Sequence, residues 1–172
     1  MVDSRRVYDA WVAIHQAAIT LERAVDVRLR PWNLSGSQAA ALGVLVRHGP
    51  QRMSDLARYL LQQTQTTTDL VDRLEQRGLV RRVRHATDRR VVLVEATDKA
   101  RELVQEIGGI GWGVGQEAFG QLSAAELDRL ADAARRVRNR AAELGGIPFE
   151  HLSYAEDRLR LDSAPLEAAA AD

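Results

Sequence analysis

The chain has 172 residues, of which 45% are hydrophobic and 28% charged, so it is long enough to bury one hydrophobic core. Its formal net charge is zero, and it contains no cysteine, which excludes disulfide bonds, thiolate metal sites and a thiol redox switch. No apolar run approaches the roughly 18 residues of a membrane span, and the amino terminus lacks a secretory pattern. We therefore expect a cytoplasmic protein that does not contact a membrane.

The first predicted element is a long helix that Pro31 ends. Its apolar residues recur at alternating steps of four and three and form one narrow seam: Val7, Trp11, Ile14, Ala18, Leu21 and Val25. A seam with this period commonly packs against another helix at a shallow angle. A capping-box pair, Ser35 and Gln38, then predicts a scaffold helix that closes at residues 48–50, and residues 51–53 predict a short strand.

Two helices separated by a short turn follow. Ser54 and Asp55 open the first, and Gly78 ends the second, because glycine readily takes the left-handed conformation of a helix stop. The second helix buries one stripe, formed by Thr67, Leu70, Val71 and Leu74. Its opposite side is predicted to expose Gln65, Thr66, Thr68, Asp69, Asp72 and Arg73.

Residues 80–84 and 90–95 read as two strands joined by a polar tip. The window from Arg73 to Arg90 contains seven arginines and two acids, a formal charge of +5, which indicates a polyanionic partner. Two helices followed by a basic hairpin predict a winged helix-turn-helix.

Past the hairpin, Thr97 is the predicted cap of a further helix, and Ser123 with Glu126 predicts the start of another whose apolar residues again recur at steps of three and four. Five glycines lie between them, within residues 108–115. Two interpretations stay open: the helix breaks near residues 108–113, since each interior glycine costs about 1 kcal/mol, or the glycines permit close helix packing. The tail, residues 147–172, is acidic and alanine-rich and is predicted to be weakly ordered.

These elements predict a mainly α (α+β) fold, a winged helix-turn-helix lobe with a three-stranded wing sheet, flanked by N- and C-terminal dimerisation helices. The predicted divisions are residues 1–34 and 97–146 for the dimerisation helices, 35–96 for the lobe, and 147–172 for the tail. So small a lobe cannot bury heptad-like helices at both ends, so we expect a homodimer.

The sequence resembles the MarR family of transcriptional regulators over roughly residues 35–103. The resemblance rests on the pattern LA-x-x-L at Leu56, Ala57 and Leu60, on residues 70–82, on the Asp-Arg-Arg triplet at 88–90, and on residues 97–100. It implies a sequence-specific regulator of double-stranded DNA, by default a repressor, that acts as a homodimer on a near-palindromic operator. No cofactor or metal is expected.

Residues of the second helix and the wing are the candidate DNA contacts. Gln65 can pair with adenine, Thr66 and Thr68 can reach a phosphate or a thymine methyl, and Arg73 lies further along the same face. The resemblance implies that Arg90 enters the minor groove while Asp88 orients it, and that Arg84, His85 and Arg89 contact phosphates. The chain departs from the family in three respects: Asp69 stands where arginine is frequent, Leu61 stands where the turn often has glycine, and Gln62 and Thr67 replace residues that are usually apolar.

The resemblance also implies a small aromatic or phenolic effector, bound in a cleft between the dimer helices and the lobe. Trp11, His15 and Trp32 are the candidates to line it, although Trp11 also belongs to the apolar seam and a single histidine is often an interface residue.

Other functions receive less support from the sequence. Four scattered histidines, no cysteine and no phosphate-binding glycine motif argue against an enzyme. The alternative is a winged module that binds proteins without reading DNA, for which Asp69 is the best argument.

Overall fold

A computed structural model of the chain describes residues 3–85 and 87–147, so the predicted tail lies outside the described residues apart from its first residue. Within these ranges the helices are α1 (Ser4–Leu29), α2 (Gly36–His48), α3 (Met53–Leu60), α4 (Thr64–Gln76), α5 (Asp98–Glu106), α6 (Ile110–Phe119) and α7 (Ala124–Gly145). The strands are β1 (Gln51–Arg52), β2 (Val80–Arg84) and β3 (Val92–Ala96), and a 3-10 turn, Arg30–Trp32, follows α1. The predicted fold class, mainly helical with a three-stranded sheet, is confirmed.

The sheet is antiparallel, with β3 between β1 and β2. In β1, Gln51 lies opposite Val94, and Met53, which we expected in this strand, begins α3 instead. Ser54 and Asp55 therefore lie inside the first turn of α3 and do not precede it. This short strand attaches the helix-turn-helix to the wing.

The predicted start of β3 at Arg90 is wrong, because the strand begins at Val92. Asp88 explains the difference. Its carboxylate accepts a hydrogen bond from the backbone N–H of Arg90 (3.0 Å), and its carbonyl accepts one from Val91 (3.0 Å). Both N–H groups are thereby held in a turn and are unavailable to the sheet ladder.

The hydrophobic core lies inside the lobe, where α2, α3, α4 and α5 meet one face of the sheet. Its largest fully buried side chains include Leu42, Leu45, Leu56, Leu74 and Val94. Burying a leucine completely contributes about 2 kcal/mol relative to leaving it in water, so this cluster holds the two helices of the helix-turn-helix in place.

Predicted helix ends are confirmed where a cap residue marked them. The Ser35 hydroxyl accepts from the N–H of Gln38 (3.2 Å), whose side chain accepts from the N–H of Ser35 (3.0 Å). The Thr97 hydroxyl caps α5 by accepting from the backbone N–H of Ala100 (3.3 Å). Gly78 stops α4 with a φ of 68°, as expected of a residue in the left-handed region.

The turn between α3 and α4 contains an unusual residue. Leu61 adopts a φ of 52°, a left-handed conformation that costs a residue with a Cβ about 1 kcal/mol or more. Its N–H still closes α3 by donating to the carbonyl of Arg58 (3.1 Å). The turn therefore keeps the geometry that glycine would give, with leucine in its place.

Of the two interpretations of residues 108–115, the structure confirms the break. Helix α5 ends at Glu106, α6 begins at Ile110, and Gly109 between them has a φ of 85°. A Cβ added at Gly111 or Gly113 would meet no atom within 4 Å, so no described element approaches this face of α6 closely.

Candidate nucleic-acid interface

Helix α4 has an amino terminus that is open to an anion. Its N-cap residue, Gln63, makes no side-chain capping bond, and the first turn contains no acid. The backbone N–H groups of the first turn, from Thr64 onward, therefore have no side-chain acceptor, and the positive end of the helix dipole is not neutralised locally. Such an end binds phosphate well.

The polar face of α4 agrees with the prediction at four positions and differs at two. Gln65, Thr66, Asp69 and Arg73 are exposed. Thr68 is half-buried, and its hydroxyl donates to the carbonyl of Thr64 (2.9 Å). That hydroxyl is engaged within the helix, so its methyl group is the part of Thr68 that is left for a ligand.

Asp72 is the second difference, because it is half-buried and paired with Arg82 of β2. The Arg82 guanidinium donates to the Asp72 carboxylate (2.5 Å) and to Glu75, and the backbone N–H of Arg82 donates to Glu75 as well (3.0 Å). The hydrogen bond to Asp72, with the charges of both acids, raises the pKa of Arg82 above its usual value. Arg82 therefore fixes the angle between α4 and the wing.

Two more arginines of the basic window have structural partners. Arg77 donates to the carbonyls of Trp32 (2.8 Å) and Asn33 (2.7 Å), which ties the end of α4 to the turn after α1. Arg81 pairs with Glu95 on the neighbouring strand. These roles were missed from the sequence, which shows the number of arginines but not which acid or carbonyl the fold brings to each.

The remaining four arginines of the window are exposed and form no ion pair with any described residue: Arg73, Arg84, Arg89 and Arg90. They are the four arginines that the sequence proposed as DNA contacts. One lies on α4 and three lie on the wing, so the available positive charge occupies the recognition helix and the wing and is absent from the buried side of the lobe.

The wing tip is organised by hydrogen bonds to its own backbone. His85 Nδ1 accepts from the N–H groups of Thr87 (3.3 Å) and Asp88 (3.3 Å). Asp88 binds the backbone N–H of Arg90, so it shapes the turn and does not hold the Arg90 guanidinium as the resemblance implied. Arg89 and Arg90 are exposed, and their guanidinium groups form no ion pair with a described residue.

The three predicted effector residues do not come together in the protomer. Trp11 and His15 lie on the exposed surface of α1, whereas Trp32 follows the other end of that helix and packs partly against the lobe core. At 1.5 Å per residue, roughly 27 Å of helix separates Trp11 from Leu29. A different cleft, of about 470 Å³, lies between α1 and α6.

This α1–α6 cleft is lined mostly by apolar groups, among them Leu21, Val114 and Phe119. Arg28 and Glu117 form an ion pair across it (2.7 Å). The cleft therefore offers an apolar wall with one cation and one anion, which could contact a polar group of a small ligand.

Apolar side chains on α1 and α7 face outward. On α1 they include Val7, Trp11 and Ile14, and on α7 they include Leu130 and Val137. Trp11 is 69% exposed and Val137 53% exposed, values that are high for residues of a regular apolar seam. Among residues 3–85 and 87–147, the seam predicted for α1 is thus covered only along its carboxyl-terminal half, where α6 packs on it.

Two further classes of site were searched for. In residues 3–85 and 87–147 no three acidic or histidine side chains are grouped as a metal site requires. No helix in those ranges is both long enough and apolar enough to cross a bilayer.

Comparison with known proteins gives the family of this chain. The model of the MarR family matches residues 32–91. Two relatives from Bacillus subtilis (strain 168) are uncharacterised HTH-type transcriptional regulators. YwoH is 33% identical over 55% of this chain and 68% of its own length, and YsmB is 30% identical over 54% and 63%. The chain thus spans a little under two thirds of YsmB, and it spans 44% of a third such regulator, YfiV.

Solved structures show the same fold. The transcriptional regulator BldR from Sulfolobus solfataricus has a TM-score of 0.67 and 26% identity, covering 81% of this chain and 99% of its own. MepR from S. aureus, solved with DNA, has a TM-score of 0.70 and 20% identity, covering 76% of this chain and 96% of its own. BpsR from Bordetella bronchiseptica, whose DNA binding is regulated by 6-hydroxynicotinic acid, has a TM-score of 0.67 and 24% identity, covering 73% of this chain and 90% of its own. The chain belongs to the MarR family, whose members are transcriptional regulators and not enzymes.

Proposed function

We propose that this chain is a transcriptional regulator that binds double-stranded DNA through α4 and the wing. The observation that carries the proposal is the sorting of the arginines: three are paired within the fold, and four on the DNA-facing surface are not. A fold that engages some arginines of a basic window and leaves the others in solvent suits binding to a polyanion. The uncapped amino terminus of α4 adds phosphate-binding N–H groups to the same surface.

We propose that α4 enters the major groove, where Gln65 and Thr66 contact base edges, and that the wing follows the flanking backbone. Arg84 and Arg89 contact phosphates, with His85 beside them, and Arg90 at the turn enters the minor groove. MepR, a protein of the same fold, was solved as a DNA complex, which supports binding of such a lobe to DNA. Phosphate contacts supply most of the affinity, and base contacts supply selectivity.

The proposed active form is a homodimer in which residues 1–34 and 97–146 hold two lobes of residues 35–96. Support comes from the outward apolar faces of α1 and α7, which a second copy would cover. Two recognition helices then reach successive major grooves, about 34–36 Å apart, on a near-palindromic operator. Bound there, the protein represses by blocking polymerase access.

We propose that a small aromatic acid releases the DNA, and we place its binding at the α1–α6 cleft, where Arg28 can pair with a carboxylate. BpsR, whose DNA binding is regulated by 6-hydroxynicotinic acid, supports the ligand class. Trp11 and His15 could take part only if a second copy brought them to the cleft. A panel of hydroxybenzoic acids that fails to weaken DNA binding, or weakens it equally in Arg28→Gln, would remove this part of the proposal.

The test is a fluorescence-anisotropy titration with the duplex upstream of the protein's own gene and with a scrambled duplex, across a salt series. Four free arginines per protomer give eight per dimer, so the slope of log K against log[salt] should approach roughly −7 if all of them neutralise phosphates. Arg84→Met removes two of the eight arginines, so it should reduce the magnitude of that slope by about 2. Equal affinity for the two duplexes would contradict sequence reading, and no salt-sensitive binding at all would favour the protein-interaction module.

A further inference from the structure

The acids of α4 divide into two groups. Asp72 and Glu75 face the wing and are both paired with Arg82. Asp69 is exposed, and no arginine or lysine among the described residues lies within ion-pair distance of it. The fold therefore gives Asp69 no structural ion pair that would explain an acid on this surface.

Asp69 lies in the middle of the surface that carries the free cations. It is one helical turn after Gln65 and one turn before Arg73, so the three side chains form one row along the exposed face of α4. An unneutralised carboxylate in this row repels phosphates, and it therefore lowers affinity for every duplex. A residue with that effect must act at a group other than phosphate if it contributes to binding.

The contact between Asp69 and Gln65 indicates which group this is. The Gln65 amide nitrogen donates toward the Asp69 carboxylate at 3.5 Å, a long hydrogen bond at the limit of such contacts. This orients the amide nitrogen toward Asp69 and leaves the carboxylate with lone pairs directed to solvent. Asp69 thus presents acceptors alone to the groove.

Base edges in the major groove differ in how they would meet such an acceptor. Guanine presents two acceptors and thymine one, and each would repel a carboxylate. Adenine presents its amino group beside the N7 acceptor, whereas cytosine presents an N4 amino group without an adjacent acceptor. Of the four bases, cytosine is the one whose edge a carboxylate binds without an opposing contact.

We propose that Asp69 is a specificity-determining residue that selects cytosine in each half-site by accepting a hydrogen bond from its N4 amino group, with the Gln65 amide held beside it for the neighbouring base. The proposal rests on the proposed function, since it assigns a role within the same DNA interface. It predicts that Asp69 lowers the affinity for random DNA and increases the discrimination between bases at one position of each half-site.

The experiment is a selection of bound duplexes from a randomised pool, followed by a double-mutant cycle. Wild-type protein should enrich a motif with a C·G pair at one fixed position per half-site. Replacing that pair by T·A exchanges the amino group for a carbonyl, and it should weaken wild-type binding about tenfold per half-site. Asp69→Asn, which can donate to the thymine carbonyl, should lose most of that difference.

Asp128→Asn is the matched control, because Asp128 is an exposed acid on α7 without an ion pair to a described residue. Both variants remove one negative charge, so both can raise affinity for all duplexes, but only Asp69→Asn should change the preferred base. Circular dichroism checks that each variant is folded.

Two results would overturn the inference, and they are distinguishable. If Asp69→Asn selects the same motif as wild type, with the same penalty at each position, Asp69 does not read a base while the proposed function stands. If the wild-type protein enriches no duplex and binds none with salt dependence, the proposed function fails and this inference fails with it.

Discussion

Arg82 is predicted to stabilise the lobe by joining α4 to β2, and Arg82→Met tests this. Methionine keeps the apolar stem of the side chain and removes the guanidinium. The change breaks the bonds to Asp72 and Glu75, whose side chains are 48% and 36% exposed, while that of Arg82 is 30% exposed. At this partial exposure each pair should contribute near the upper end of the surface range, about 1 kcal/mol, so the free energy of unfolding should fall by about 2 kcal/mol.

Urea unfolding followed by circular dichroism, at low salt and at 1 M NaCl, measures this loss. A double-mutant cycle with Asp72→Asn should give a coupling energy of about 1 kcal/mol that salt reduces. Arg81→Met is the control, because Arg81 is 69% exposed and its pair with Glu95 should contribute less than about 1 kcal/mol. A loss below about 0.5 kcal/mol for Arg82→Met, or additive effects with Asp72→Asn, would refute the reasoning.

Arg82→Met also distinguishes a residue that positions the wing from a residue that contacts DNA. Arg82→Met should weaken duplex binding because the wing loses its fixed angle to α4, but its salt slope should stay that of the wild type. The raised pKa of Arg82 determines how its contribution to stability depends on pH. A group whose pKa is higher in the folded state than in the unfolded state contributes its full stabilisation of the fold at any pH below the unfolded-state pKa. That contribution is lost only as the pH rises through the folded-state pKa. Arg82 therefore adds no pH dependence near neutrality.

Three further predictions concern stability. Gly43 lies in the interior of α2 with open space for a Cβ, so Gly43→Ala should raise the free energy of unfolding by about 0.5–1 kcal/mol. Gly78 has a φ of 68°, so Gly78→Ala should lower that free energy by about 1 kcal/mol. Urea unfolding measures both changes, and equal signs would contradict the backbone explanation. Leu56→Ala opens a cavity in the core and should cost about 3 kcal/mol in the same assay, and a loss under 1 kcal/mol would show that the site collapses. Hydrogen bonds from Ser123 lower the pKa of Glu126, so the cap that Glu126 provides for α7 should be complete above pH 4.5 and should be lost as the pH falls through the lowered pKa. If helicity falls in acid by the same amount in Glu126→Gln as in the wild type, Glu126 is not the cause.

Local signals in the sequence were sufficient for the elements and their order. Ser35 with Gln38, Thr97 and Gly78 each act on their own few residues, so the bonds they make depend little on the rest of the fold. The glycine-rich stretch left two interpretations open, and the one that follows from the local conformational cost of glycine, a break, is the one the structure shows.

Contacts between distant segments were not predictable in the same way. The arginines at 77, 81 and 82 are indistinguishable in the sequence from those at 84, 89 and 90. The fold decides their roles by bringing acids or carbonyls to the first three, across up to 45 positions of the chain. The arginines that we propose as DNA contacts are those for which the described residues provide no ion-pair partner.

The residues predicted to bind an effector show that residue type alone does not locate a ligand site. Trp11, His15 and Trp32 were chosen by residue type, but Trp11 and His15 lie within α1 and Trp32 lies in the turn beyond its carboxyl end. The cleft that the protomer does contain is lined by small and aliphatic residues such as Ala17 and Leu21, which carry no distinctive signal in a sequence.

The break at Gly109 has a mechanical consequence. Helix α5 belongs to the lobe core, whereas α6 packs on α1, and we call α1 and α6 together the arm. The chain passes between the lobe and the arm at two joints, residues 30–34 and 107–110. The first joint is stiff, because Arg77 holds the carbonyls of Trp32 and Asn33. The second contains two adjacent glycines, and a Cβ at Gly109 would meet nothing. Because Arg77 ties the carboxyl end of α4 to the turn after α1, we expect any rotation of the lobe relative to the arm to pivot near that end of the recognition helix.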